Sequence, residues 1–331
     1  MTSGVQSQAI VERASGRRQI VLAEVMGFCW GVRRALELVQ RAARGSGRVA
    51  ALGDIIHNPH AVESLRRDGV EPIGSIEDAA EAGFQKIAIT AHGAGPRYVQ
   101  RANQLGLEVV DTTCPLVTKV QRLAARLVRE GYFLVVYGDR AHPEVRGVLE
   151  WAETSRAVAA KELSDLPWNT PRGLGTDGAP PRKVALISQT TKQTEEFLRF
   201  AQALVGWVLP HGGELRVVNT ICQPTWERQE ALRKLAREVD LILVIGGRKS
   251  SNTARLVEIG RACGVPSYLI QGCDELRPEW LADVHTVGLS AGASTPDTVI
   301  LETIQALVEL GFEPPDRLWR LDDPDVDAFA E

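Results

Sequence analysis

One pattern decides the fold, and it recurs three times: IVLAEVMGFCWGVRRALELV at 20–39, LEVVDTTCPLVTKVQRLAARLV at 107–128 and LRVVNTICQPTWERQEALRKLA at 215–236. Each copy runs from a short β-branched stretch, through a turn bearing one cysteine, into a stretch with helical spacing. That change of hydrophobic period marks a strand followed by a helix. A second segment type follows each copy: VAALGDIIHNPHAVESLRRDG at 49–69, YFLVVYGDRAHPEVRGVLEWA at 132–152 and LILVIGGRKSSNTARLVEIGR at 241–261. The step from Cys29 to His57, from Cys114 to His142 and from Cys222 to Ser250 is 28 residues each time. A third type, at 86–102, 183–201 and 285–304, puts His92, Thr190 and Ser294 just after a strand.

Strand, loop and helix in alternation predict an α/β fold with parallel sheets. Three similar domains are expected, of about three strand–loop–helix units each: 19–106 with Cys29, 107–213 with Cys114 and 214–308 with Cys222. Ligands of such sheets bind beyond the carboxyl ends of the strands, where all nine polar loops fall. Arranged as a pseudo-threefold trefoil, the domains would bring these loops to one central cleft. Residues 1–18 read as a flexible N-terminal extension. The Pro- and Gly-rich stretch 163–182 reads as a surface insertion, and 309–331 as an acidic C-terminal tail.

The 331 residues carry 38 Lys and Arg against 42 Asp and Glu, a net charge of −4, which argues against a broad nucleic-acid footprint. With 44% hydrophobic and 24% charged residues, the chain has the composition of a soluble globular protein. It has no apolar run long enough for a membrane helix and no secretory signal pattern, so a cytoplasmic location is expected. The five cysteines, at 29, 114, 222, 263 and 273, are odd in number and widely scattered, which suits a reducing compartment. The absence of closely spaced cysteine pairs excludes zinc ribbons, thioredoxin-like motifs and ferredoxin-type runs, and there is no P-loop.

A cysteine at a strand-to-helix turn faces the positive end of the helix dipole, which favours the thiolate. One such cysteine reads equally well as a small buried hydrophobe. Three at equivalent positions read as ligands, either of an iron–sulfur cluster with one iron left open or of a catalytic zinc. Cys263 and Cys273 have no counterparts in the repeat and read as structural. His57, His92 and His142 sit where imidazoles can hold an anion. Ser250, Ser251, Asn252 and Ser294 supply donors near helix starts, which are natural anion sites as well as ordinary caps. Glu144, two residues after His142, can carry a proton if burial raises its pKa, and Thr190 can orient it or the substrate. His60, His211 and His285 read as bystanders.

Taken together, the motifs GFCWGV, HNPHAVESL, AHG, DTTCPLVTKV, HPEVRG, SQTT, ICQPTWERQ, SSNTARL and SAGASTPD resemble one family, the 4-hydroxy-3-methylbut-2-enyl diphosphate reductases (IspH/LytB). The resemblance spans about residues 20 to 305. It implies a trefoil around one [4Fe–4S] cluster with three cysteine ligands, Cys29, Cys114 and Cys222, and one open iron. It implies substrate contacts at His57, His92, His142, Ser250, Ser251, Asn252 and Ser294, and a catalytic pair of Glu144 as proton donor with Thr190 beside it. The implied reaction is a two-electron reductive dehydroxylation giving isopentenyl and dimethylallyl diphosphates, the last step of the non-mevalonate isoprenoid route. Its electrons would come from an external one-electron carrier of ferredoxin or flavodoxin type, because the chain has no flavin or nicotinamide fingerprint. After Cys222 the sequence QPTWERQ departs from the ATxxRQ of many members while keeping Arg228 and Gln229. Two other readings use the same cysteines: a non-redox iron–sulfur dehydratase, and a cluster- or zinc-binding sensor.

Overall fold

The computed structural model describes residues 17–169 and 180–317. Most of the expected extension, the centre of the insertion and most of the tail (1–16, 170–179 and 318–331) lie outside the described residues. Three four-stranded sheets are formed, and every strand pairing in them is parallel. Strand β1 (Gln19–Leu22) opens the described chain. The first sheet comprises β2 (Val49–Leu52), β3 (Val70–Ile73), β4 (Lys86–Ile89) and β5 (Glu108–Asp111), in the order β3-β2-β4-β5. The second comprises β6 (Phe133–Tyr137), β7 (Ala157–Ala160), β8 (Lys183–Ser188) and β9 (Glu214–Val217), in the order β7-β6-β8-β9. The third, β10 (Leu241–Ile245), β11 (Ser267–Ile270) and β12 (Thr286–Ala291), takes β1 as its fourth strand in the order β11-β10-β12-β1.

The helices are α1 (Trp30–Ser46), α2 (Pro59–Arg67), α3 (Ile76–Glu81), α4 (Pro96–Gln104), α5 (Pro115–Arg129), α6 (Pro143–Trp151), α7 (Thr194–Val208), α8 (Gln223–Leu235), α9 (Ser251–Ala262), α10 (Pro278–Leu281) and α11 (Asp297–Glu309). By internal contacts, residues 17–30, 57–61 and 226–317 form one compact unit built on the third sheet. Residues 31–56 and 62–225 form a second unit, built on the first and second sheets.

The repeat is present, but the sheets are cut differently from 19–106, 107–213 and 214–308. The strand before each cysteine lies in another sheet than the one that follows it: β5 before Cys114 and β9 before Cys222 close the preceding sheets, and β1 before Cys29 closes the C-terminal one. Strand β1 therefore belongs with the C-terminal strands, paired in register from Gln19 with Thr286 to Leu22 with Leu289. Each sheet also has four strands where three units were expected. The additional ones, VEPI, AVAA and SYLI, each form the sheet edge beside β2, β6 or β10. Residue 18 is not part of a flexible arm: the Arg18 guanidinium donates to the carbonyls of Val284, Leu310 and Leu281 and stacks on Phe312. The tail likewise starts later than 309, because Glu309 completes α11 and Phe312 is buried.

Central strands such as β6 and β10 are buried throughout, as expected of parallel sheets with helices on both faces. The second sheet shows the alternation directly. Leu134 and Val136 pack toward α5 and α6, whereas Phe133, Val135 and Tyr137 face the α7 cluster of Phe197, Phe200 and Leu204. The start of the expected surface insertion belongs to this second core. Leu166 and Trp168 are fully buried, and Trp168 meets Phe133 edge-on with ring centroids 5.2 Å apart. Pro and Gly enrichment identified the loop but concealed its anchor. Trp168→Ala is expected to cost about 3–5 kcal/mol in denaturant unfolding, where a surface tryptophan would cost less than about 0.5 kcal/mol.

Candidate active site

The same backbone hydrogen bond occurs at all three repeat cysteines. Cys29 N donates to Ala293 O at 3.1 Å, Cys114 N to Ala91 O at 3.0 Å and Cys222 N to Thr190 O at 3.0 Å. Each acceptor lies in the loop leaving the third-type strand, β12, β4 or β8. Each cysteine immediately precedes a helix, α1, α5 or α8, so the sulfur is offered at a helix N-terminus. Cys114 is the N-cap of α5 in extended geometry and makes no side-chain capping bond. The Cys222 thiol lies 3.1 Å from Thr225 Oγ1. None of the five cysteines is in a disulfide, and the three repeat cysteines are half-buried. Partial exposure is unlike a core hydrophobe, and Cys273, outside the repeat, is half-buried too. Cys263 is exposed at the end of α9, so it fills no core either.

In the second unit, four of the expected residues, His92, His142, Glu144 and Thr190, meet around the α6 N-terminus. His142 is the N-cap, and its Nδ1 accepts from Glu144 N at 3.2 Å. In the neutral ring this leaves the proton on Nε2, which is then a donor. The His92 ring stands nearly perpendicular to it, with centroids 5.4 Å apart. Glu144 is only 2% exposed. Its Oε1 accepts from Thr190 N at 2.7 Å and its Oε2 from Thr190 Oγ1 at 2.8 Å. Because Thr190 O also holds the Cys222 amide, one residue fixes the carboxyl group against the cysteine loop.

Burial pushes the Glu144 pKa above the ordinary carboxylate range, and the two bonds from Thr190 offset only part of that rise. The sign for stability follows. The unfolded chain titrates near the ordinary value of about 4.3, and the folded chain at a higher pH. The preference of the folded state for the neutral acid is complete below the unfolded value and is lost as pH rises through the folded one. Glu144→Gln, which is neutral throughout, should therefore gain stability relative to the parent across that interval. Denaturant unfolding at a series of pH values checks it; a difference independent of pH would contradict it.

In the first unit, Ser250 caps α9, its Oγ accepting from Thr253 N at 3.3 Å. Capping and anion binding are compatible, since Ser251 and Asn252 follow in the first turn. Asn252 is 3% exposed, and neither its amide oxygen nor its amide nitrogen has a hydrogen-bond partner among the described residues. Two unmet polar atoms on one buried side chain are costly unless a ligand meets them. Ser294 is buried and its hydroxyl lies 3.5 Å from the His57 carbonyl. It stands two residues before Pro296, the N-cap of α11, and is not itself the cap. Asn58 caps α2 through His60 N and Ala61 N, which places His57 just outside the helix. His60 Nε2 lies 3.0 Å from Gln271 O.

Some residues that shape the site had little or no sequence signal. Gly247 is required because a Cβ there would collide with the His57 carbonyl. At Gly292, in the Gly-rich SAGASTPD stretch, one would collide with Thr253 Oγ1. The Gly-Gly doublet after β10 was the available clue to the first. Arg228 is fully buried and donates through Nε and Nη2 to Gly27 O, at 3.3 and 2.8 Å. In the sequence it stood out only as part of the Arg-Gln pair.

Residues 20–308 match the family model described as LytB protein. A relative from Anaeromyxobacter sp. (strain Fw109-5), named 4-hydroxy-3-methylbut-2-enyl diphosphate reductase, is 41% identical over 283 residues, which is 85% of this chain and 94% of the relative. The solved E-1-hydroxy-2-methyl-but-2-enyl-4-diphosphate reductase of Plasmodium falciparum aligns with a TM-score of 0.79 at 27% identity, covering 93% of each chain. The solved (E)-4-hydroxy-3-methyl-but-2-enyl diphosphate reductase, described as the terminal enzyme of the non-mevalonate pathway, aligns with a TM-score of 0.62 at 36% identity, covering 88% of this chain and 99% of its own. With its three parallel sheets, its thrice-repeated cysteine turn and these matches, the chain belongs to the LytB family of reductases.

Proposed function

We propose that this chain reduces 4-hydroxy-3-methylbut-2-enyl diphosphate to isopentenyl and dimethylallyl diphosphates, the terminal reaction of the non-mevalonate isoprenoid pathway. The observation that carries the residue-level reading is the backbone bond repeated at Cys29, Cys114 and Cys222. It presents three thiols in equivalent settings, and three equivalent sulfurs suit a [4Fe–4S] cluster with one iron left without a protein ligand. The donor set fits that group: three half-buried thiols at helix starts, no disulfide, and no competing cysteine in the repeat. When bound, the cluster supplies electrons one at a time and a Lewis-acidic iron.

The chain's own residues do the rest. His57, His92 and His142 offer imidazole donors to the diphosphate. Asn252, Ser250, Ser251 and Ser294 add amide and hydroxyl groups beside the N-termini of α9 and α11, where oriented N–H groups favour an anion. Burial raises the Glu144 pKa and so favours the protonated acid, the form that would hold a proton on a carboxyl oxygen. In that state Thr190 Oγ1 accepts from Glu144 Oε2, the reverse of the bond made to the carboxylate, so the pair passes a proton outward through one hydroxyl. Protonation of the substrate hydroxyl makes water the leaving group. The balance is two electrons and two protons in, one C–O bond broken, one C–H bond formed and one water out. Protonation at either end of the allyl unit gives the two products.

The electron source in this reading is an external carrier of ferredoxin or flavodoxin type. No helix among the described residues is long and apolar enough to cross a membrane. The test is an anaerobic assay of the iron-loaded protein with the hydroxylated allylic diphosphate and a strong one-electron donor. Both products are expected, and only when the donor is present. Turnover without reductant would favour the dehydratase reading, and ligand binding without turnover the sensor reading.

A further inference from the structure

Two arginine bonds follow one rule around the repeat. Arg34 lies on α1, five residues after Cys29, and its Nη1 donates to the carbonyl of Thr113, the residue before Cys114, at 3.2 Å. Arg228 lies on α8, six residues after Cys222, and its Nε and Nη2 donate to the carbonyl of Gly27, two residues before Cys29. In both cases the helix that starts at one cysteine sends a guanidinium to the backbone leading into another. After Cys114 the fifth residue is Lys119, which is exposed.

We propose that Arg34 and Arg228 are positioning residues that latch the Cys114 and Cys29 loops into ligand-ready conformations. A carbonyl on a tight turn is an oxygen that would otherwise face water or lie unsatisfied, and a charge-assisted bond to it is stronger than a neutral one. The Gly27 turn depends on this most. Gly27 is in the left-handed region at φ +78°, with Ile300 Cδ1 and Asp297 Oδ1 at 3.1 and 3.2 Å from where a Cβ would stand. Its N–H donates to Ala291 O, and two residues on the Cys29 N–H donates to Ala293 O. The Arg228 bonds satisfy the carbonyl side of the same turn. Two of the three cysteine turns thus have a carbonyl held by a guanidinium from a helix that starts at another cysteine.

The inference rests on the cysteine ligation proposed above, and its test separates the two. Arg34→Lys and Arg228→Lys keep the charge but lose the planar fork. Hydrogen exchange read by mass spectrometry on the full-length apoprotein should show roughly tenfold faster exchange in the peptide holding Cys114 for Arg34→Lys, and in the peptide holding Gly27 to Cys29 for Arg228→Lys. The Cys222 peptide is the internal reference. After anaerobic reconstitution, each variant should lose iron to a chelator roughly tenfold faster than the parent. Unchanged exchange at the two loops, or equal acceleration everywhere, overturns the latch. Local acceleration with unchanged iron retention also overturns it, because the arginines would then shape turns without serving the ligands. If the parent itself takes up no iron, the ligation reading fails while the exchange result still decides whether the loops are latched.

Discussion

Glu144→Gln should lower turnover by about 10²–10⁴-fold, the range that a general acid contributes, with little change in substrate affinity. The carboxyl group is the one buried acid among the proposed site residues, and Thr190 fixes both of its oxygens. Glutamine keeps the shape and can still accept from Thr190 N, but it has no acidic proton to give. The effect belongs in kcat, because the interaction is used when the C–O bond breaks and not when the diphosphate docks. Thr190→Val should lower turnover as well, by less, because the acid survives while its relay hydroxyl is lost. Equal kcat for Glu144→Gln and the parent would remove Glu144 from the reaction. A rise in KM with unchanged kcat would reassign it to binding.

Replacing any one of Cys29, Cys114 or Cys222 with serine should abolish reduction, whereas Cys263→Ser and Cys273→Ser should leave it intact. The contrast follows from position. The three repeat cysteines share one backbone bond and one place before a helix. The other two sit at the exposed C-terminal end of α9 and in the short turn after β11. Hydroxyl groups are poor substitutes for thiolates toward iron, so each repeat variant should also lose bound iron and its visible absorption. Folding should survive, because none of the three is a core side chain. A serine variant at 29, 114 or 222 that kept full iron and activity would show that its cysteine is not a ligand.

The legible and illegible parts of this chain differ in a physical way. The cysteine turns, the polar loops and the parallel strands are local events, and each leaves a signature within about twenty residues of sequence. Glu144 and Thr190 were nameable for the same reason, since both follow strands of the repeat. What escaped depends on partners far along the chain. Strand β1 looks like the start of the first domain, yet it hydrogen-bonds to β12, and nothing within IVLA announces that pairing. Trp168 lies in a stretch whose Pro and Gly content signals a loop, and only the fold reveals that Phe133 waits for its ring. The bonds of Arg34 and Arg228 end on backbone carbonyls, which have no residue identity to read. Gly247 is needed because the His57 carbonyl approaches it, a condition set by tertiary structure alone.

The central claim is that Cys29, Cys114 and Cys222 would hold a [4Fe–4S] cluster with one iron left without a protein ligand. Mössbauer spectroscopy of anaerobically reconstituted, ⁵⁷Fe-labelled protein tests it most directly. The account predicts one iron site distinct from the other three, and a shift of that site alone when 4-hydroxy-3-methylbut-2-enyl diphosphate is added. Four indistinguishable irons, or a spectrum that substrate leaves unchanged, would contradict it.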